Sequence, residues 1–126
     1  MHWKNKLQRL TDKNSQEFFD GSNKPFVLLF ESPYEPNAGK MAAALASELK
    51  QFDPAVVGAV CVLEEAPELT KQFNVRGVPT LVAGQGKRVF GESLGFRTPS
   101  ELASLLEKWL SVEAGTGERK RTARAR

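Results

Sequence analysis

Along the chain the spacing of apolar positions changes several times, and each change marks an element. Pro25-Phe26-Val27-Leu28-Leu29-Phe30-Glu31 is apolar without alternation, which predicts a central strand over about 25–31 covered on both faces. Ala38, Met41, Ala42, Leu45, Leu49 and Phe52 then recur at helical spacing and predict an amphipathic helix over about 38–52, stopped by Asp53-Pro54. Val56 to Leu63 is a second unbroken apolar run, hence a second buried strand. Pro67 opens a short helix with Leu69 and Phe73. Leu81-Val82-Ala83 and Val89-Phe90 flank a Gly84-Gln85-Gly86-Lys87 turn and read as a hairpin. Thr98-Pro99-Ser100-Glu101 opens a last helix whose buried stripe is Leu102, Leu105, Leu106, Trp109 and Leu110. Ahead of all these, Thr11-Asp12 forms a helix-capping pair for residues 11–20, placing Phe18 and Phe19 on a short helix.

Strand and helix signals that alternate in this way define an α/β fold, with a central mixed sheet of four or five strands and helices on both faces. At 126 residues the chain is long enough for one core and not for two. From Ser111 onward Gly, Thr and Arg replace apolar residues, so a domain over 1–110 and a tail over 111–126 with little fixed structure are expected.

The net charge of +3 belongs to that tail. Arg119, Lys120, Arg121, Arg124 and Arg126 stand against Glu118 alone, and without residues 118–126 the body carries −1. The tail reads either as a solvated end or as a weak, salt-sensitive contact for nucleic acid, acidic membrane or an acidic partner; it has no aromatic residue to stack on bases. No apolar run approaches the ~20 residues of a membrane-spanning helix. Met1-His2-Trp3-Lys4 is followed by no apolar stretch, so the expected location is the cytoplasm, where a lone Cys61 is at home.

Two motifs carry a resemblance. Val75-Arg76-Gly77-Val78-Pro79-Thr80 closely resembles the loop of thioredoxins that holds a cis-proline beside the reactive site, and Lys40-Met41 matches the end of their Trp-Cys-Gly-Pro-Cys-Lys-Met segment. Glu64-Glu65-Ala66-Pro67 aligns with the family's Asp-x-Asn-Pro, and Gly95 with the glycine that ends its final strand. In order and spacing the match covers roughly residues 8–110 and implies a thioredoxin-like fold with a cis Val78–Pro79 bond, in a small domain of bacterial type.

The departures from the family bear on function. Between Phe30 and Met41 the chain is one residue longer, so the Cys-x-x-Cys positions fall on Pro36–Gly39 or on Glu35–Ala38, and neither choice supplies a sulfur. The buried acid and buried lysine of the family align with Leu29 and Val60. Cys61 reads as a small core hydrophobe rather than a redox thiol. Ser32 has no base near it in sequence, and Glu31 and Glu35 read as solvated carboxylates. The helix start near Asn37-Ala38-Gly39 reads as a plain helix end in preference to an anion site. With His2 and Cys61 each alone, neither a metal site nor a cofactor is expected.

The expectation is therefore a thioredoxin-fold protein that is not an enzyme and is redox-inactive. It would bind another protein or peptide in a chaperone-like, assembly or adaptor role. Its groove would comprise Tyr34, Pro36, Asn37, Gly77, Val78, Pro79, Leu94, Gly95 and Phe96, where the resemblance puts the family's substrate site. Against it stand a decayed loop stiffened by prolines, an oxidoreductase with an atypical site, and a nucleic-acid accessory factor acting through the tail.

Overall fold

The structure, a computed structural model, describes residues 7–113 except 22, 36–38 and 53, and the side chains of 111–113 are outside the description. Five strands form one sheet in the order β1–β3–β2–β4–β5: β1 (Leu7–Leu10), β2 (Phe26–Glu31), β3 (Val57–Val62), β4 (Thr80–Gln85) and β5 (Arg88–Leu94). β1 and β2 run parallel to β3 on its two sides, and β4 pairs antiparallel with both β2 and β5. The helices are α1 (Ser15–Asp20), α2 (Lys40–Leu49), α3 (Pro67–Gln72) and α4 (Pro99–Glu113).

β2 lies at the centre because all six of its residues are buried, and the sheet divides its side chains between two cores. Val27 and Leu29 pack with Met41, Leu45, Leu102, Leu106 and Trp109, the faces of α2 and α4. Phe26, Leu28 and Phe30 pack on the other side with Leu10, Cys61 and Leu69 and with Phe18, Phe19 and Phe73 from the α1 and α3 side. Truncating one such leucine to alanine costs ~2–5 kcal/mol, so either layer alone could decide whether the domain folds. α4 opens on a reciprocal cap: Thr98 N–H donates to Glu101 Oε1, and Glu101 N–H donates to Thr98 Oγ1.

Several expectations are corrected. β1 was not anticipated. The hairpin turn is only Gly86-Lys87, because Gly84 and Gln85 continue β4 with a bulge beside Ala83/Gly84. α4 runs to Glu113, so a domain boundary after 110 falls inside a helix. α2 begins at Lys40 and gives way at Lys50–Phe52 to a 3-10 turn; its expected start at Ala38 lies outside the described residues.

The Thr11-Asp12 pair does not cap the helix that follows it. α1 starts at Ser15, and Asp12 instead reaches α3, accepting the N–H groups of Glu68 and Leu69 at 3.0 and 3.1 Å. Its own N–H donates to Glu65 O. Arg9 forms a bidentate pair with Glu65 nearby, but both side chains are exposed and screened, which leaves Asp12 as the stronger tie. Asp12→Ala is expected to cost ~0.5–2 kcal/mol in urea unfolding, the usual loss for an N-terminal cap, with Asp12→Asn recovering part of it.

Candidate functional site

The site is built where β2 and β4 reach the same edge of the sheet, since Phe30 and Thr80 are directly paired. After α3 the chain turns through Asn74 at φ 55 and reaches the Val78–Pro79 bond, which is cis. Thr80 Oγ1 donates to Gly77 O at 2.6 Å, which closes the loop onto the start of β4. Gly95 N–H donates to Pro79 O at 2.8 Å, joining the loop to the end of β5. Gly77 sits against Leu94: a Cβ there would stand 3.3 Å from Leu94 Cδ1. Gly77, Val78, Pro79, Leu94 and Gly95 thus form one continuous edge, with Pro79 buried beneath it.

Phe96 follows Gly95, and Tyr34 projects from the loop after β2, where Tyr34 N–H donates to Ser32 Oγ. Tyr34 is 84% exposed, Leu94 59% and Phe96 43%. They are three of the four large exposed hydrophobics among the described residues, and all three lie at this end of the sheet. Pro36 and Asn37 lie outside the described residues, as do all five tail cations.

Glu31 is the residue that the sequence reading misplaced. It closes β2 opposite Val62 and is only 7% exposed, so it is not a solvated carboxylate. Its Oε2 accepts the N–H of Gly39, the residue before α2, across a long 3.4 Å. Gly39 adopts φ 91, a conformation that favours glycine. A side-chain carboxylate therefore already lies at the start of α2, where a free anion was considered. The only sign available in sequence was that Glu31 ends an otherwise apolar strand.

Burial pushes the Glu31 carboxyl above its ordinary range, the Gly39 N–H pulls it back, and the charge of Glu35 adds to the rise. Because the folded state holds this proton more tightly than the unfolded chain, the associated stability is present below the ordinary carboxylate range and is lost as pH rises through the raised value. Glu31→Gln is therefore expected to melt higher than the parent near pH 7, with the gap closing toward about pH 4 in melts across a pH series. A gap independent of pH would contradict this assignment.

No thiol chemistry is arranged at this edge among the described residues. Leu29 and Val60 are paired across β2 and β3, so the positions that align with the family's buried acid and lysine do adjoin, yet neither can ionise. Cys61 is the penultimate residue of β3, between Leu10 and Phe30 on the neighbouring strands, on the face of the sheet opposite α2. It is fully buried, and its thiol is pushed up to about 12, first by burial and then by the charge of Asp12. Among the described residues no cluster of three His, Cys, Asp or Glu is placed to hold a metal, and no helix is long and apolar enough to cross a membrane.

A mixed sheet of this order, with helices on both faces and a cis-proline just before β4, is the thioredoxin-like architecture. The chain is 29% identical over 97 residues to a thioredoxin of Alicyclobacillus acidocaldarius, covering 77% of this chain and 91% of that protein. It is 27% identical over 105 residues to a thioredoxin of Buchnera aphidicola, covering 82% and 96%. No family model matches. Fold and similarity together give this chain a thioredoxin-like fold and a sequence likeness to thioredoxins over most of its length.

Proposed function

We propose that this protein acts by binding another protein or peptide through the edge around Val78–Pro79, without disulfide exchange, in a chaperone-like, assembly or adaptor role. The observation that carries the reading is the gathering of Tyr34, Leu94 and Phe96 as exposed apolar side chains beside the cis-proline loop, while the one thiol of the chain is fully buried in the core. Exposed apolar groups clustered on a rigid edge are a common mark of an interaction surface. The groove comprises Tyr34, Gly77, Val78, Pro79, Leu94, Gly95 and Phe96, while Pro36 and Asn37, expected there from the sequence, lie outside the described residues.

The likeness to two thioredoxins favours a second reading, an oxidoreductase with an atypical site acting through Cys61. One set of measurements separates the two. Under the binding reading, the protein does not accelerate insulin reduction by dithiothreitol. A partner captured from the source cell by the parent is lost with Leu94→Asp, a change at an exposed position that leaves the core intact. Acceleration that disappears with Cys61→Ala would establish the oxidoreductase instead. Capture indifferent to Leu94→Asp and to Val78→Asp would remove the groove from the proposal.

A further inference from the structure

Val89, the fourth exposed hydrophobic at 46%, stands at the other end of the sheet, separated from Pro79 by the length of β4, on the order of 17 Å. It lines a cavity of about 510 Å³, a volume within the range of small-ligand sites. The floor is aromatic. Phe19 at the end of α1 and Phe73 just after α3 have ring centroids 6.1 Å apart, and the buried Phe26 backs both rings at 5.2 and 6.2 Å. Three elements thus fix the floor, so it is formed before any ligand arrives.

The rim carries one charge of each sign. Asp20 comes from the last residue of α1 and Lys87 from the hairpin turn, with Gln72 between them in chain order at the end of α3. All three are exposed, and among the described residues no ion pair or side-chain hydrogen bond engages them. Arg88, next to Lys87, is turned onto the Phe90 ring at 5.6 Å, which leaves Lys87 as the cation of the lining. An apolar aromatic floor under an unpaired carboxylate and an unpaired ammonium is complementary to a ligand with an apolar body and both charges.

We propose that this cavity binds a short apolar peptide with free ends, of about dipeptide size. The apolar side chains lie against Phe19, Phe73 and Val89, the terminal ammonium faces Asp20, and the terminal carboxylate faces Lys87. This site is separate from the edge around Pro79, and neither reading depends on the other. The floor supplies the contact area through ring packing. The two rim charges select for free termini, since a blocked terminus leaves one of them without a partner.

The test is an NMR titration of the full chain with the dipeptide Phe-Leu, with its N-acetylated form and with its C-terminal amide. Phe-Leu is expected to give saturable shifts at Phe19, Phe73, Gly86 and Val89 in the millimolar range, as suits so small a ligand on an open site. Blocking either end should weaken binding about two- to fivefold, the scale of an exposed ion pair. Asp20→Asn should weaken Phe-Leu but not its N-acetylated form, and Lys87→Gln should weaken Phe-Leu but not its amide. Both positions are exposed, so the variants retain the fold. Three results would overturn the proposal: no saturable shift up to about 20 mM, shifts confined to the Pro79 end, or equal affinity for the free and blocked peptides.

Discussion

Cys61 is expected to react with a thiol reagent at least about a thousandfold more slowly in the native protein than in denaturant. The thiolate is the reactive form, and burial moves the thiol from an ordinary 9.0 to about 12, three pH units that each remove a factor of ten from the thiolate population. Exclusion of the reagent by Leu10, Phe30 and Ala59 slows the reaction further. The same shift has a counterpart in stability. A folded state that keeps the proton up to about 12 holds a contribution that is complete below pH 9 and is lost as pH rises from 9 toward 12. Urea unfolding across alkaline pH should therefore fall more steeply for the parent than for Cys61→Ala. Stoichiometric labelling of native protein within minutes would contradict the burial of this thiol and would favour the oxidoreductase reading.

The second large effect is expected at Gly91. This glycine lies in β5 opposite Ala83, and the indole of Trp109 from α4 rests directly on it, so that any Cβ would enter the ring's van der Waals envelope. Trp109 is held by Leu102, Leu106 and the α2 side chains and cannot simply withdraw. Gly91→Val should cost ~1–3 kcal/mol, as overpacking of a filled core does. The melting temperature should fall by about 4–8 °C for each kcal/mol in a domain of this size. Trp109→Leu makes room at the same place, and the pair should be markedly less damaging than the sum of its parts. Strict additivity would show that the indole is not what excludes a side chain at 91. Because β5 ends at Leu94, and the next residue, Gly95, donates to Pro79 O, this contact also holds the apolar edge in place beside Pro79.

Much of the fold was legible from local pattern. β2 and β3 were readable because burial on both faces leaves unbroken apolar runs, and α2 and α4 because one buried face imposes a helical period. The parts that escaped depend on distant partners. β1 is only Leu7-Gln8-Arg9-Leu10, buried at its ends and exposed between, too short to show a period of its own. Asp12 has the look of a local cap, yet its oxygens serve a helix that begins 55 residues later, which no window of sequence can reveal. Glu31 illustrates the same limit at the site: a carboxylate at the end of a strand is ordinarily solvated, and its burial and its contact with the Gly39 N–H appear only in the folded chain. The cis-proline loop was legible through Arg76-Gly77-Val78-Pro79-Thr80, whereas the Phe19–Phe73 cavity was not, because its walls come from separate stretches of chain.

The tie between Asp12 and α3 has a consequence for how the chain is made. The strand that pairs with β1 and the α3 groups that Asp12 holds lie in residues 58–69, so the first strand cannot pair until about 50 further residues have been added. At ordinary translation speeds of about 5–20 residues per second, the N-terminal segment waits on the order of 3–10 s on the nascent chain with Leu7 and Leu10 uncovered. Vectorial synthesis thus leaves β1 without its pairing strand until β3 is made, and the ribosome-bound chain should remain open to proteases near residues 7–12 until α3 has emerged.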